Sequence, residues 1–163
     1  MLFRSTAAAV RANAVAEFAL GDDFAFALLP RGQYAFDPLL SFEEFTAGNY
    51  TVGRGYDPGA ILGDSGVGVS AELRGPRYRI ADGSDFRVQP YVFGDVARVW
   101  NKGPGGNDDL KSAGGGLRAE LGDRFRLDAT LAVPLERAGL QTKRGNPRFL
   151  LTLTTRILPW RNN

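Results

Sequence analysis

The residues best suited to chemistry lie between Phe45 and Gly66, centred on Val52-Gly53-Arg54-Gly55-Tyr56-Asp57-Pro58-Gly59. One guanidinium stands between two glycines, in a stretch too rich in Gly and Pro for a helix or a regular strand, and such a backbone can fold tightly around it. A buried guanidinium requires a carboxylate, whereas a solvated surface turn does not. Glu43, Glu44, Asp57 and Asp64 are near in sequence, but their spacing follows no cation-binding loop and no catalytic carboxylate pair. The chain has no Cys and no His, which removes thiol nucleophiles, zinc thiolate sites and the commonest general base. No catalytic residues, metal site or cofactor are expected. Two further signals are weak. Asn49-Tyr50-Thr51 fits a glycosylation triplet of a kind that arises often by chance, and Gly114-Gly115-Gly116 lacks the Lys-Ser/Thr that follows in a phosphate loop. The glycines read as a smooth patch or a kink within a strand.

The 163 residues, 44% hydrophobic and 23% charged, are enough for one ordered domain and exclude a disordered chain. No run of 18 or more apolar residues is present, so no helix of the usual kind crosses a membrane. That test is blind to barrels, whose strands alternate between lipid and lumen, and the mean hydropathy of -0.19 is what such a wall gives. The 20 basic and 18 acidic residues are interspersed and form no basic face, so nucleic acid is not a partner. Residues 1–20 are Ala-rich, but Arg11, Asn13 and Glu17 interrupt what would be the apolar core of a signal peptide.

Period two organises the rest of the chain. Val10, Ala12, Ala14, Ala16, Phe18 and Leu20 oppose Arg11, Asn13 and Glu17. After the turn Gly21-Asp22-Asp23, Phe24, Phe26, Leu28, Tyr34 and Phe36 oppose Arg31 and Gln33. Beyond the long loop 37–65, Val67, Val69, Ala71 and Leu73 alternate with Gly68, Ser70, Glu72 and Arg74. A connector of about a dozen residues, 75–86, leads to 87–100, where Val88, Val92, Val96 and Trp100 oppose Gln89, Tyr91, Phe93 and Asp95. The runs 111–121, 125–136 and 148–157 complete seven expected strands of about ten residues, the length a tilted strand needs to cross a bilayer. Arg118, Glu120, Arg126 and Asp128 would be costly inside a dry sandwich, and a watery lumen tolerates them. Short turns at 21–23 and 122–124 fall at one end of this sheet. The long connections 37–65, 101–110 and 137–147 fall at the other, as in outer-membrane barrels.

The window Phe45-x-x-Gly48-x-x-x-Val52-x-Arg54-Gly55-Tyr56, followed by Gly63-Asp64-x-Gly66, resembles the sixth-loop motif of the two-partner secretion transporters, the haemolysin-activator family of POTRA-bearing outer-membrane barrels. The family's usual aliphatic residue directly before the Arg is replaced here by Gly53, with Val52 one earlier. Phe93-Gly94-Asp95-Val96-Ala97 is similar to the family's second barrel motif, with Ala97 where Gly is preferred. The resemblance implies that the loop folds into the lumen and that Arg54 pairs with Asp95, a residue that alternation alone puts on the polar face. Arg to carboxylate pairing of this kind is bidentate and not reproduced by Lys. The strand of Phe149, Leu151, Leu153, Thr155 and Ile157 is similar to the one by which such barrels are recognised for assembly, although it runs on to Trp160 and a polar Arg161-Asn162-Asn163 tail.

The expected fold is thus all-β, an antiparallel up-and-down segment of a transmembrane barrel, and the resemblance implies that it supplies about seven of sixteen strands, the last seven. Seven strands leave open edges, which lipid does not tolerate, so the chain is expected to be the C-terminal part of a longer protein whose POTRA repeats and plug lie outside it. The implied activity is translocation of an unfolded exoprotein, captured through its secretion domain, across the bacterial outer membrane. The implied partners are that exoprotein, outer-membrane lipid and the barrel assembly machinery. A barrel insertase is the alternative within the superfamily. A small soluble β-barrel binding an apolar ligand is the alternative of another class, and it requires the apolar faces to point inward.

Overall fold

A computed structural model describes residues 7–49, 52–80, 83–103, 106–139 and 145–156. The chain is all-β in these segments. In chain order the strands are β1 (Ala9–Asn13), β2 (Ala16–Leu20), β3 (Phe24–Ala35), β4 (Phe45–Ala47), β5 (Ile61–Gly63), β6 (Ser65–Arg74), β7 (Tyr78–Arg79), β8 (Phe86–Trp100), β9 (Asp108–Leu121), β10 (Phe125–Pro134) and β11 (Arg148–Thr155). One antiparallel sheet runs β1-β3-β6-β8-β9-β10-β11, with β2 also on β3 and β7 also on β8. Sequential neighbours pair throughout, as an up-and-down wall requires. Among the described residues β1 and β11 are the two ends of the sheet.

The first expected strand is two pieces in one register. Asn13 pairs with Arg31 and Ala16 with Leu28, so Ala14 and Val15 lie opposite Pro30 and Leu29. The Ala14 amide donates to the Pro30 carbonyl at 3.0 Å, but Pro30 has no N–H to return, and the ladder lapses there. The connector 75–86 is also corrected. Its Tyr78 and Arg79 pair with Val88 and Arg87, so the hairpin arms extend into it. Gly75 to Arg77 lie opposite Gln89 and Pro90, a bulge that accommodates the second strand proline, whose carbonyl accepts from the Gly75 amide at 2.9 Å. β9 begins at Asp108, which shortens the loop expected at 101–110. β10 ends at Pro134, before the expected Glu136. Finally, the loop 37–65 is not free of regular structure, because β4 and β5 pair within it as a small separate hairpin.

Alternation holds on every long strand. Phe24, Val67, Leu73, Val92, Val96, Leu117, Leu121, Phe125, Leu127 and Leu131 are all exposed on one face, and Phe149, Leu151 and Leu153 continue it on β11. The other face buries Gln33, Ser70, Glu72, Asp95, Ser112, Arg118 and Thr130. This arrangement is inside out relative to a soluble ligand-binding barrel, and an apolar belt of this extent demands a lipid or protein covering. The main apolar core lies between the long loop and the polar face, where Phe45, Ala47, Val52, Tyr56 and Ile61 pack with Ala97, Val99, Leu110 and Ala138.

Candidate functional site

The long loop is held at its stem before it reaches the site. Asp64 accepts from the Leu39 amide at 2.6 Å with Oδ1 and from the Lys102 amide at 2.7 Å with Oδ2, which joins both stems to the neighbouring loop. Gln33 Nε2 donates to the carbonyls of Glu43 and Asp64, one on each stem. Phe45 lies on Gly66, where a Cβ would come within 2.4 Å of its ring, and Gly63 sits against Val99 and Trp100. The loop then turns back on itself. At Gly48, φ is +126° and an added Cβ would lie 2.0 Å from the Asp57 carbonyl oxygen, so no side chain fits.

Arg54 is delivered to the polar face by this turn. Its Nε donates to Asp95 Oδ2 at 3.1 Å and its Nη2 to Asp95 Oδ1 at 2.9 Å, a bidentate pair. The amides of Gly53 and Arg54 also donate to Asp95 Oδ2, at 3.1 and 2.9 Å. Ser70 and Ser112 donate hydroxyls to the same carboxylate, which is 1% exposed and therefore lives on these donors rather than on water. The guanidinium carbon lies 3.5 Å from the centre of the Phe93 ring, a stacked cation-π contact. Burial on its own would lower the Arg54 pKa, but the hydrogen bonds and charges of Asp95 and then Glu72 outweigh it and hold the pKa above its ordinary value.

The residues around Arg54 fix its approach. Val52 is 1% exposed and rests on Gly68. Gly53, standing where an aliphatic residue was the expected form, has φ +93° and presents its amide to Asp95. Gly55 passes so close to β9 and β10 that a Cβ would lie 2.7 Å from the Pro134 nitrogen and 2.9 Å from the Ser112 Cβ. Tyr56, 2% exposed, crosses to the far hairpin and donates to the Lys111 and Glu136 carbonyls, at 2.7 and 2.9 Å for its oxygen.

Sequence reasoning placed Ser70 and Glu72 on the polar face without giving them a role. Glu72 Oε1 accepts from Arg54 Nη1 at 2.8 Å, so the guanidinium has two carboxylates rather than one. The available signal was the register-free one, a carboxylate on the polar face of the strand next to Asp95. Glu43 and Glu44 stay on the stem, and Asp57 pairs instead with Arg148 at the loop's outer side. Phe149, Leu151, Leu153 and Thr155 lie on the exposed face of the edge strand, apart from this site, and Ile157 is outside the described residues. Gly114 and Gly116 prove to be the floor under Phe93 and Tyr91, where a Cβ would meet either ring within 2.8 Å.

Comparison with known proteins bears on the family and the overall fold. Among curated proteins nothing matches the chain. CdiB from Acinetobacter baumannii shares its structure with a TM-score of 0.69 and 26% sequence identity, over 93% of this chain but 27% of that one. The sequence profile of the haemolysin secretion/activation protein ShlB/FhaC/HecB matches residues 3–119, well over half of the chain. The chain thus belongs to the haemolysin secretion/activation family, a family of outer-membrane secretion transporters and not of enzymes.

Proposed function

We propose that this chain is part of the barrel wall of a two-partner secretion pore, which passes an unfolded exoprotein from the periplasm to the cell surface. In this reading the rest of the barrel, the plug and the POTRA repeats belong to the same protein outside these residues. The POTRA repeats capture the exoprotein's secretion domain, and outer-membrane lipid covers the exposed apolar face. β11 is the strand offered to the assembly machinery. The loop carrying Arg54 is a lock that sets the conformation of the lumen. One observation carries the reading: a buried carboxylate, Asp95, is satisfied by two loop amides and a bidentate loop guanidinium together. A loop that merely lined the pore would not need to deliver three donor groups to one wall residue.

The test is secretion of the cognate exoprotein by the full-length transporter carrying Arg54→Ala, Asp95→Ala, or Arg54→Asp with Asp95→Arg. Both single variants are expected to lose secretion while still inserting in the membrane, with partial recovery in the swapped pair. Normal secretion by both single variants would remove the lock from the mechanism.

A further inference from the structure

The polar face carries a second assembly built like the first. Arg118 of β9 lies with its guanidinium carbon 4.7 Å from the centre of the Tyr91 ring, as Arg54 lies on Phe93. Its Nε donates to Asp128 Oδ2 at 3.0 Å, and the Tyr91 hydroxyl donates to the other oxygen of Asp128. Thr130 adds a hydroxyl to that oxygen, and Arg118 is 8% exposed. All of these groups belong to wall strands. None of these contacts is made by a loop residue.

Glu72 joins the two assemblies. Its Oε1 takes Arg54 at 2.8 Å, while its Oε2 takes Arg74 Nε at 3.0 Å and lies 3.6 Å from Arg118 Nη2. Arg54, Arg74 and Arg118 thus converge on one carboxylate whose side chain is 7% exposed. When Arg54 withdraws, Asp95 loses its only ion-pair partner among the described residues, whereas Glu72 keeps two. The carboxylate that receives the returning loop thereby stays aimed by cations on the wall, with its second oxygen free for Arg54.

We propose that Arg118, held by Asp128 and Tyr91, is a positioning residue for the loop lock and acts through Glu72. This rests on the lock reading and adds the wall residues that keep its receiving site formed. Released loops expose the Arg54–Gly55 bond, so trypsin cleavage there, followed by mass spectrometry on the full-length protein in detergent, reports the unlocked fraction. Arg118→Met is expected to raise that cleavage rate about tenfold, the size of a coupling between charges in one network. Arg118→Lys should recover part of it, and Leu117→Met, the neighbouring residue of β9 on the exposed apolar face, should leave it unchanged.

The double variant decides the route. If Arg118 works through Glu72, adding Arg118→Met to Glu72→Gln raises cleavage no further than Glu72→Gln alone. If the two effects multiply, Arg118 only supports the wall in general and the proposal is overturned. Unchanged migration of the unheated protein on a gel confirms that each variant is a folded barrel, and for a variant that fails this check Arg118→Lys supplies the comparison. If Asp95→Ala leaves cleavage at its basal rate, the lock itself is wrong. If Asp95→Ala raises it and Arg118→Met does not, only the positioning role falls.

Discussion

Two ion pairs tie the same loop to the wall only three residues apart, and their surroundings are opposite. Arg54 meets Asp95 where the side chains are 11% and 0% exposed, with hydroxyls, amides and an aromatic face completing the shell. Asp57 meets Arg148 with its side chain 71% exposed and no comparable shell. In water the second pair competes with solvent and salt, and pairs of this kind contribute about 0–1 kcal/mol. Breaking the first by removing one partner leaves a charge stranded away from water, which costs about 3–5 kcal/mol. The difference shows that closeness of charges does not make a lock. In the proposed lock the buried carboxylate, Asp95, has its only ion-pair partner among the described residues on the loop.

The comparison can be broken at its strong end first. Asp95→Ala strands Arg54 with Glu72 alone and should lower stability by about 3–5 kcal/mol, read as a lower urea midpoint for loss of the fast-migrating folded form of the full-length protein. A change within 1 kcal/mol of wild type, on the same scale, would make the buried pair no different from a surface one. Tyr56→Phe tests the loop's other attachment. It removes one hydroxyl, yet the Lys111 carbonyl still accepts from the Leu135 amide at 2.8 Å, so the loss should be about 1 kcal/mol in the same measurement. Asp57→Asn sits at the weak end. Its effect should stay below about 1 kcal/mol and vanish in molar salt, where the Debye length falls to about 3 Å. An effect that survives high salt would place Asp57 in the lock.

The strands were legible because alternation is a local property. Val67, Val69, Ala71 and Leu73 repeat every second residue against Gly68, Ser70, Glu72 and Arg74, and the period of a pleated strand sends each set to its own face whatever the partner. The interruptions were less legible. Pro30 breaks the pairing of the preceding strand rather than of its own, because the absent N–H would have pointed across to Ala14. The bulge at Gly75 to Arg77 merged with the turn beside it, and Tyr78 and Arg79 are a strand only because Val88 and Arg87 lie opposite. The short β4 and β5 pairing is similar: three-residue strands in a Gly-rich loop carry no period long enough to read.

By itself the sequence determined the all-β class, the two faces of the wall, the loop as the centre of the molecule, and Asp95 as a polar-face carboxylate facing the same side as Tyr91 and Phe93. It did so because face assignment needs only the parity of residues along one strand. Tertiary structure alone decided what stands beside what. That Ser70 pairs in register with Asp95, that Glu72 receives Arg54, Arg74 and Arg118 together, and that Arg118 stacks on Tyr91 depend on the stagger between β6, β8 and β9. Stagger is set by hydrogen bonds between strands distant in the chain, and a shift of two residues would preserve every face while dissolving each of these contacts.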